Sequence, residues 1–282
     1  MAYAVGQGGC LTRCDATAFP RGGLMGLSDR CTGAIPRIDT LCRTIVAECV
    51  KRSFQGVLAD FETNPYSDRL SFLSRLSARL STRGMALYCP LSLPAEGAAL
   101  LVGTGLSGGS LRALLEETAC RYGAERLALD LERVMMDFPL PCPSGCGTPL
   151  TREELLALRE KHPSSVYFSR ELMAKYFTYS AGNGTHFVLF DDAETLRQKV
   201  KLAQNLGIQT AFLMFPEVVD LLPELSAGKA APMALHGIRG IFSHVREYPP
   251  WTPKRTQGAL PLDPAIASEQ LEELQCLPIA LP

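Results

Sequence analysis

Charge of one sign is missing from this 282-residue sequence, in which 28 Lys and Arg stand against 29 Asp and Glu. Without a basic excess there is no electrostatic footprint for nucleic acid or for an anionic membrane surface. The expected partner is a neutral or weakly charged small molecule. Long hydrophobic runs are missing too, since no stretch approaches the roughly 20 continuous apolar residues of a membrane helix. The opening text, MAYAVGQGG, has no basic region ahead of an apolar run, so a cytoplasmic location is expected. Neither a fixed-period repeat nor a low-complexity block is present. The C-x2-C spacing favoured by structural zinc sites is also absent. The ten cysteines offer only the C-x3-C pairs Cys10/Cys14 and Cys142/Cys146, and most of the others sit in apolar text. Reduced thiols are expected, with no metal and no cofactor.

What is present is a large apolar fraction, 46% against 20% charged, enough to bury a substantial core. Short β-rich runs alternate with helical patterns, the order that gives a parallel sheet with crossover helices. The strand candidates are residues 2–6, 22–28, 56–62, 85–92, 99–106, 126–134, 186–190 and 210–215. Helices are expected over 65–82, with Leu70, Phe72, Leu73, Leu76 and Leu80 as its apolar stripe, and over 109–122. A capping box, Thr151 with Glu154, and an Asp cap near 192 mark two more. Eight strands and a length near the usual 250 residues point to an α/β fold, a single-domain (β/α)8 TIM-type barrel over residues 1–227. Residues 228–282, rich in proline, are expected to pack on it as an extension.

The most informative text is Phe54-Gln55-Gly56-Val57-Leu58-Ala59-Asp60-Phe61-Glu62, an apolar strand ending in two carboxylates. Residues i and i+2 of a strand share a face, so Asp60 and Glu62 would both point into the barrel. They would emerge at the C-terminal mouth, where barrel enzymes carry their chemistry. Two such carboxylates repel, which raises one pKa and suits it to general-acid work. Leu127-Ala128-Leu129-Asp130-Leu131-Glu132 repeats the design, with Arg126 and Arg133 as alternative ion-pair partners for Glu132. Glu217 follows the last strand as a further carboxylate, and Tyr3 and Tyr88 stand where an aromatic ring would meet a sugar.

The first of these stretches resembles the family-18 glycoside hydrolase motif, Phe-Asp-Gly-Ile-Asp-Ile-Asp-Trp-Glu. Phe54, Gly56, Asp60 and Glu62 match, Val57 is conservative, and Gln55, Leu58 and Phe61 depart from it. A second stretch, His186-Phe187-Val188-Leu189-Phe190-Asp191-Asp192 followed by Leu196, Lys199 and Gly207-Ile208, is similar to a closing segment of bacterial spore-associated members. The resemblance implies Glu62 as the general acid and Asp60 as the residue that orients the substrate's N-acetyl group. It implies a carbohydrate substrate bearing N-acetylated amino sugars. The family's Met-x-Tyr-Asp strand has no copy, Met136 being the nearest text, and the last strand carries Phe215 without a Trp. The chain also leaves no room for the small inserted domain of many chitinases. Two other readings stay open: a catalytically degenerate barrel that binds a carbohydrate or a protein, and a two-carboxylate glycosidase pairing Glu62 with Glu132 or Glu217.

Overall fold

Apolar residues two apart in short runs, and three or four apart in longer ones, sort this chain into sheet and helix layers. The computed structural model describes residues 3–14, 22–61, 68–142, 145–182 and 184–227. Glu62 and the expected extension over 228–282 lie outside them.

Seven strands come first: β1 (Tyr3–Val5), β2 (Leu11–Arg13), β3 (Leu24–Asp29), β4 (Gly56–Asp60), β5 (Ala86–Pro90), β6 (Ala99–Gly103) and β7 (Leu127–Leu131). Helices α1 (Ile38–Arg52), α2 (Asp68–Ser81) and α3 (Leu111–Tyr122) fall between them. Next come β8 (Met135–Leu140), β9 (Thr148–Pro149), α4 (Arg152–Lys161), β10 (Tyr167–Ser169), β11 (Ala174–Ala181) and β12 (Gly184–Phe190). The chain then forms α5 (Ala193–Asn205), β13 (Thr210–Leu213), α6 (Phe215–Val218) and α7 (Leu222–Ala227).

One sheet has the order β13-β7-β6-β5-β4-β3-β1-β2, and every ladder in it is parallel except the β1–β2 hairpin. Its end strands are β13 and β2, with no ladder joining them among the described residues. Alternate residues take different fates. Met25, Leu27, Val57, Ala59, Leu87, Cys89, Leu100 and Val102 are fully buried in one core with helix residues such as Ile45, Phe72 and Leu115. Each large side chain so buried contributes about 1.5–3 kcal/mol. Residues of the opposite parity, Leu24, Leu58, Tyr88, Leu101 and Phe212, are only half-buried on the inner face. A closed, filled barrel packs that face into layers; here it stays partly open.

The second sheet corrects two expectations. Residues 186–190 do form a strand, but β12 pairs antiparallel with β11 and β8 in the order β10-β11-β12-β8-β9 and takes no part in the parallel sheet. A small inserted unit, that sheet with α4 against it, therefore stands between β7 and α5, where the sequence had seemed to leave no room. An apolar run bounded by turns shows that a strand exists but not which strand pairs with it. Leu70 is a smaller correction: at 41% exposure it lies outside the stripe that α2 buries. The expected capping box forms, Thr151 with Glu154 at α4, and the expected Asp192 cap at α5 forms as part of a further box with Thr195.

Candidate functional site

Parallel strands bring their C-terminal residues to one edge of the sheet, and the carboxylates of this chain gather there. Asp60 ends β4 on the inner face, since Val57, Ala59 and Phe61 of the other parity are buried toward the helices. Asp130 lies on β7 opposite Gly103 of β6, and the chain turns directly after it, Glu132 N–H donating to Asp130 O at 3.0 Å. Three ladders separate β4 from β7, about 14 Å along a flat sheet and less along a curled one.

Glu132 is the most perturbed carboxyl of the group. Burial, and then the neighbouring Asp130 carboxylate, push it up to about 7. Glu217 adds to the rise, while the Gly105 N–H, donating to Oε2 at 3.1 Å, and the Lys199 charge oppose it. A Cβ at 105 would overlap Glu132 Oε2, so any larger residue there would have to push the carboxyl aside. The flanking arginines are engaged elsewhere. Arg126 donates to the carbonyls of Ala95 and Ala98, and Arg133 grips Asp220 at 2.7 and 3.2 Å while donating to Glu217 O.

The remaining expected residues fall apart from this edge. Tyr3 is 2% exposed, donates its hydroxyl to Glu48 of α1 at 2.8 Å and meets Phe54 edge to face. That is a packing position between sheet and helices, which corrects its assignment to a sugar subsite. Tyr88 does lie on the inner face, but it lines a cavity of about 440 Å³ at the starts of the strands, with Leu24, Gln55, Arg83, Thr210 and Phe212. Asp60, Asp130 and Glu132 do not line this cavity. Asp137, His186 and Tyr179 form a separate cluster on the inserted sheet, with Tyr179 Oη donating to Asp137 at 2.7 Å and His186 Nδ1 3.0 Å from it. The described cysteines form no disulfide, and burial pushes the thiols of Cys42 and Cys49 up to about 11 and about 12.

Sequence reasoning named Asp191 and Lys199 without pairing them, and gave Thr104 and Gly105 no part in the site. A signal for Lys199 was there. It sits three or four residues from Leu196, Leu202 and Ala203, on the face that α5 buries, and a lysine there needs a partner.

No family model and no curated protein matches the chain. Solved structures do. The spore cortex-lytic enzyme SleL of Bacillus cereus is similar at a TM-score of 0.59 and 18% identity, over 79% of this chain and 66% of that one. SleL of Bacillus megaterium QM B1551 gives 0.51 and 19%, over 67% of this chain and 55% of that one. A Family GH18 chitinase from Cycas revoluta, in complex with allosamidin, gives 0.50 and 16%, over 72% and 80%. This chain thus spans little more than half of the second SleL. At such identities the likeness is one of fold. The chain has a divergent family-18-like fold, α/β with a mostly parallel eight-stranded sheet.

Proposed function

We propose that this chain is a glycoside hydrolase acting on a glycan of N-acetylated amino sugars, with its chemistry at the C-terminal ends of the parallel strands. Asp60 carries the reading. It is the last residue of β4, on the inner face, in the D-x-E text that resembles the family-18 motif. In this reading Asp60 orients the acetamido group and Glu62 protonates the glycosidic oxygen. The fold supports it, because proteins named as cortex-lytic enzymes and chitinases share that fold. Assays on an aryl N-acetylglucosaminide and on peptidoglycan fragments test it, with Asp60→Asn expected to lose most turnover. Binding of N-acetylated oligosaccharides without turnover by the wild type would replace it with the degenerate, binding-only barrel.

One observation favours a second reading. Glu132, held near 7 beside Asp130 and Glu217, has the protonation that a general acid needs close to neutral pH. A two-carboxylate glycosidase places its pair about 5–9.5 Å apart. Glu217, close enough to raise the Glu132 pKa, is the partner carboxylate this reading names. Glu132→Gln abolishing turnover that Glu62→Gln leaves intact would select this reading.

A further inference from the structure

Beneath the β7 carboxylates lies an ion pair from which water is excluded. Lys199 Nζ stands 2.7 Å from Asp191 Oδ2, and neither side chain has any solvent exposure. Taking two ions out of water costs several kcal/mol for each, and well-packed apolar residues often replace such a pair without loss of stability. The bonding here is directional. Asp191 also accepts from Val134 N–H at 3.0 Å and Thr195 Oγ1 at 2.8 Å, which fixes it between the β7–β8 connection and α5. Lys199 donates onward to the Thr104 carbonyl at 3.2 Å. Thr104 is fully buried and donates both its N–H and its hydroxyl to Asp130 O, at 3.0 and 3.3 Å. The next N–H along the chain, that of Gly105, is the one that reaches Glu132.

We propose that Lys199, anchored by Asp191, is a positioning residue that holds the Thr104–Gly105 turn so that the Gly105 N–H stays aimed at the Glu132 carboxyl. The inference rests on the reading in which Glu132 is functional. The groups acting on Glu132 come from four elements: Asp130 from β7, Glu217 from α6, Lys199 from α5, and the Gly105 N–H from the turn after β6. Lys199 is the cation among them and makes its hydrogen bonds to Asp191 and Thr104, so it acts on Glu132 through the turn and through its field. Loss of the lysine both frees the turn and removes positive charge, and each effect disfavours the ionised carboxyl.

The test is a carboxyl ¹³C NMR titration of the full chain, with the Glu132 resonance assigned from Glu132→Gln. The double variant Asp191→Asn/Lys199→Met keeps the shape of the pair and leaves no orphaned charge. Its Glu132 midpoint is expected to rise, because the turn that aims the Gly105 N–H at the carboxyl is freed while the net charge beneath it stays nearly the same. Gly105→Ala leaves the buried pair intact and must also displace the midpoint, because its Cβ overlaps Oε2. Lys175→Met removes a surface cation paired with Asp192 and Glu194 and should leave the midpoint alone. An unchanged midpoint in the double variant would overturn the proposal, whatever Gly105→Ala does, as would an equal shift in Lys175→Met. A shifted midpoint in a protein that turns over no glycan upholds the positioning role and sinks the glycosidase reading. Turnover with an unmoved midpoint does the reverse.

Discussion

The rings of Tyr88 and Phe212 meet edge to face with centroids 4.9 Å apart, although β6 and β7 stand between their strands in the hydrogen-bonding order. A flat sheet would hold those two backbones about 14 Å apart. The parallel sheet therefore curls strongly, and this aromatic contact spans its hollow. Such pairs are worth about 0.5–1.5 kcal/mol beyond their burial. A double-mutant cycle with Tyr88→Leu and Phe212→Leu, read by urea unfolding, should return a coupling energy in that range. A coupling indistinguishable from zero would mean that the curl does not depend on this contact.

Gly56 matches the glycine of the family-18 motif, and the fold gives the reason. β4 runs so close to β5 that a Cβ at 56 would overlap the Ala86 carbonyl oxygen, which is backbone and cannot swing aside. Gly56→Ala should then cost about 2–4 kcal/mol, in the upper tail of single substitutions. It would act by prising apart the ladder that positions Asp60. Thermal unfolding of the variant measures this, and a melting temperature equal to that of the wild type would refute the close approach.

The strands of the parallel sheet were legible because burial on the helix side makes their text nearly continuous and apolar. The Thr151–Glu154 box and the Asp192 cap were legible because their bonds are local. α1 was missed although Leu41, Cys42, Ile45 and Cys49 form its buried stripe. Its N-cap, Arg37, makes no side-chain cap bond, so the usual start signal was lacking. The placement of β12 was missed for a different reason: it pairs locally with β11, but the β8 strand on its other side comes from far back in the chain and is set by long-range packing. In the site, Asp60, Asp130 and Glu132 could be read from strand ends. The Gly105 N–H and the Thr104 carbonyl could not, because backbone donors and acceptors leave no mark on residue type.

Glu132 should leave a pH signature on stability. Burial and Asp130 hold it at about 7, against an ordinary value of 4.5, so between those values the folded chain keeps a proton that the unfolded chain has released. Stability rises with pH only where the unfolded state binds more protons. Here the reverse holds, so this group's contribution falls as pH rises from about 4.5 to about 7 and is level on either side. Glu132→Gln removes the slope. Its stability relative to wild type should climb across that window by on the order of 3 kcal/mol. Urea melts at about pH 4, 6 and 8 measure the difference, and a constant difference across them would show that folding leaves the Glu132 pKa where it stands in the unfolded chain.

The sharpest functional prediction sets Glu62 against Glu132. A general acid typically contributes about 10²–10⁴-fold to the rate, and glutamine keeps its shape while lacking the transferable proton. If Glu62 protonates the glycosidic oxygen, Glu62→Gln should lose activity on an aryl N-acetylglucosaminide within that range. The alkaline limb of the pH–rate profile should vanish with it, since that limb reports the acid losing its proton. Oligosaccharide affinity should survive, because ground-state binding does not use the proton. Glu132→Gln should leave the limb in place and lower the rate only modestly, acting through the shared field at the strand ends. The opposite result, an alkaline limb abolished by Glu132→Gln and retained by Glu62→Gln, moves the acid to β7. Asp60 would then be a bystander, and the buried Lys199 would hold the catalytic group itself.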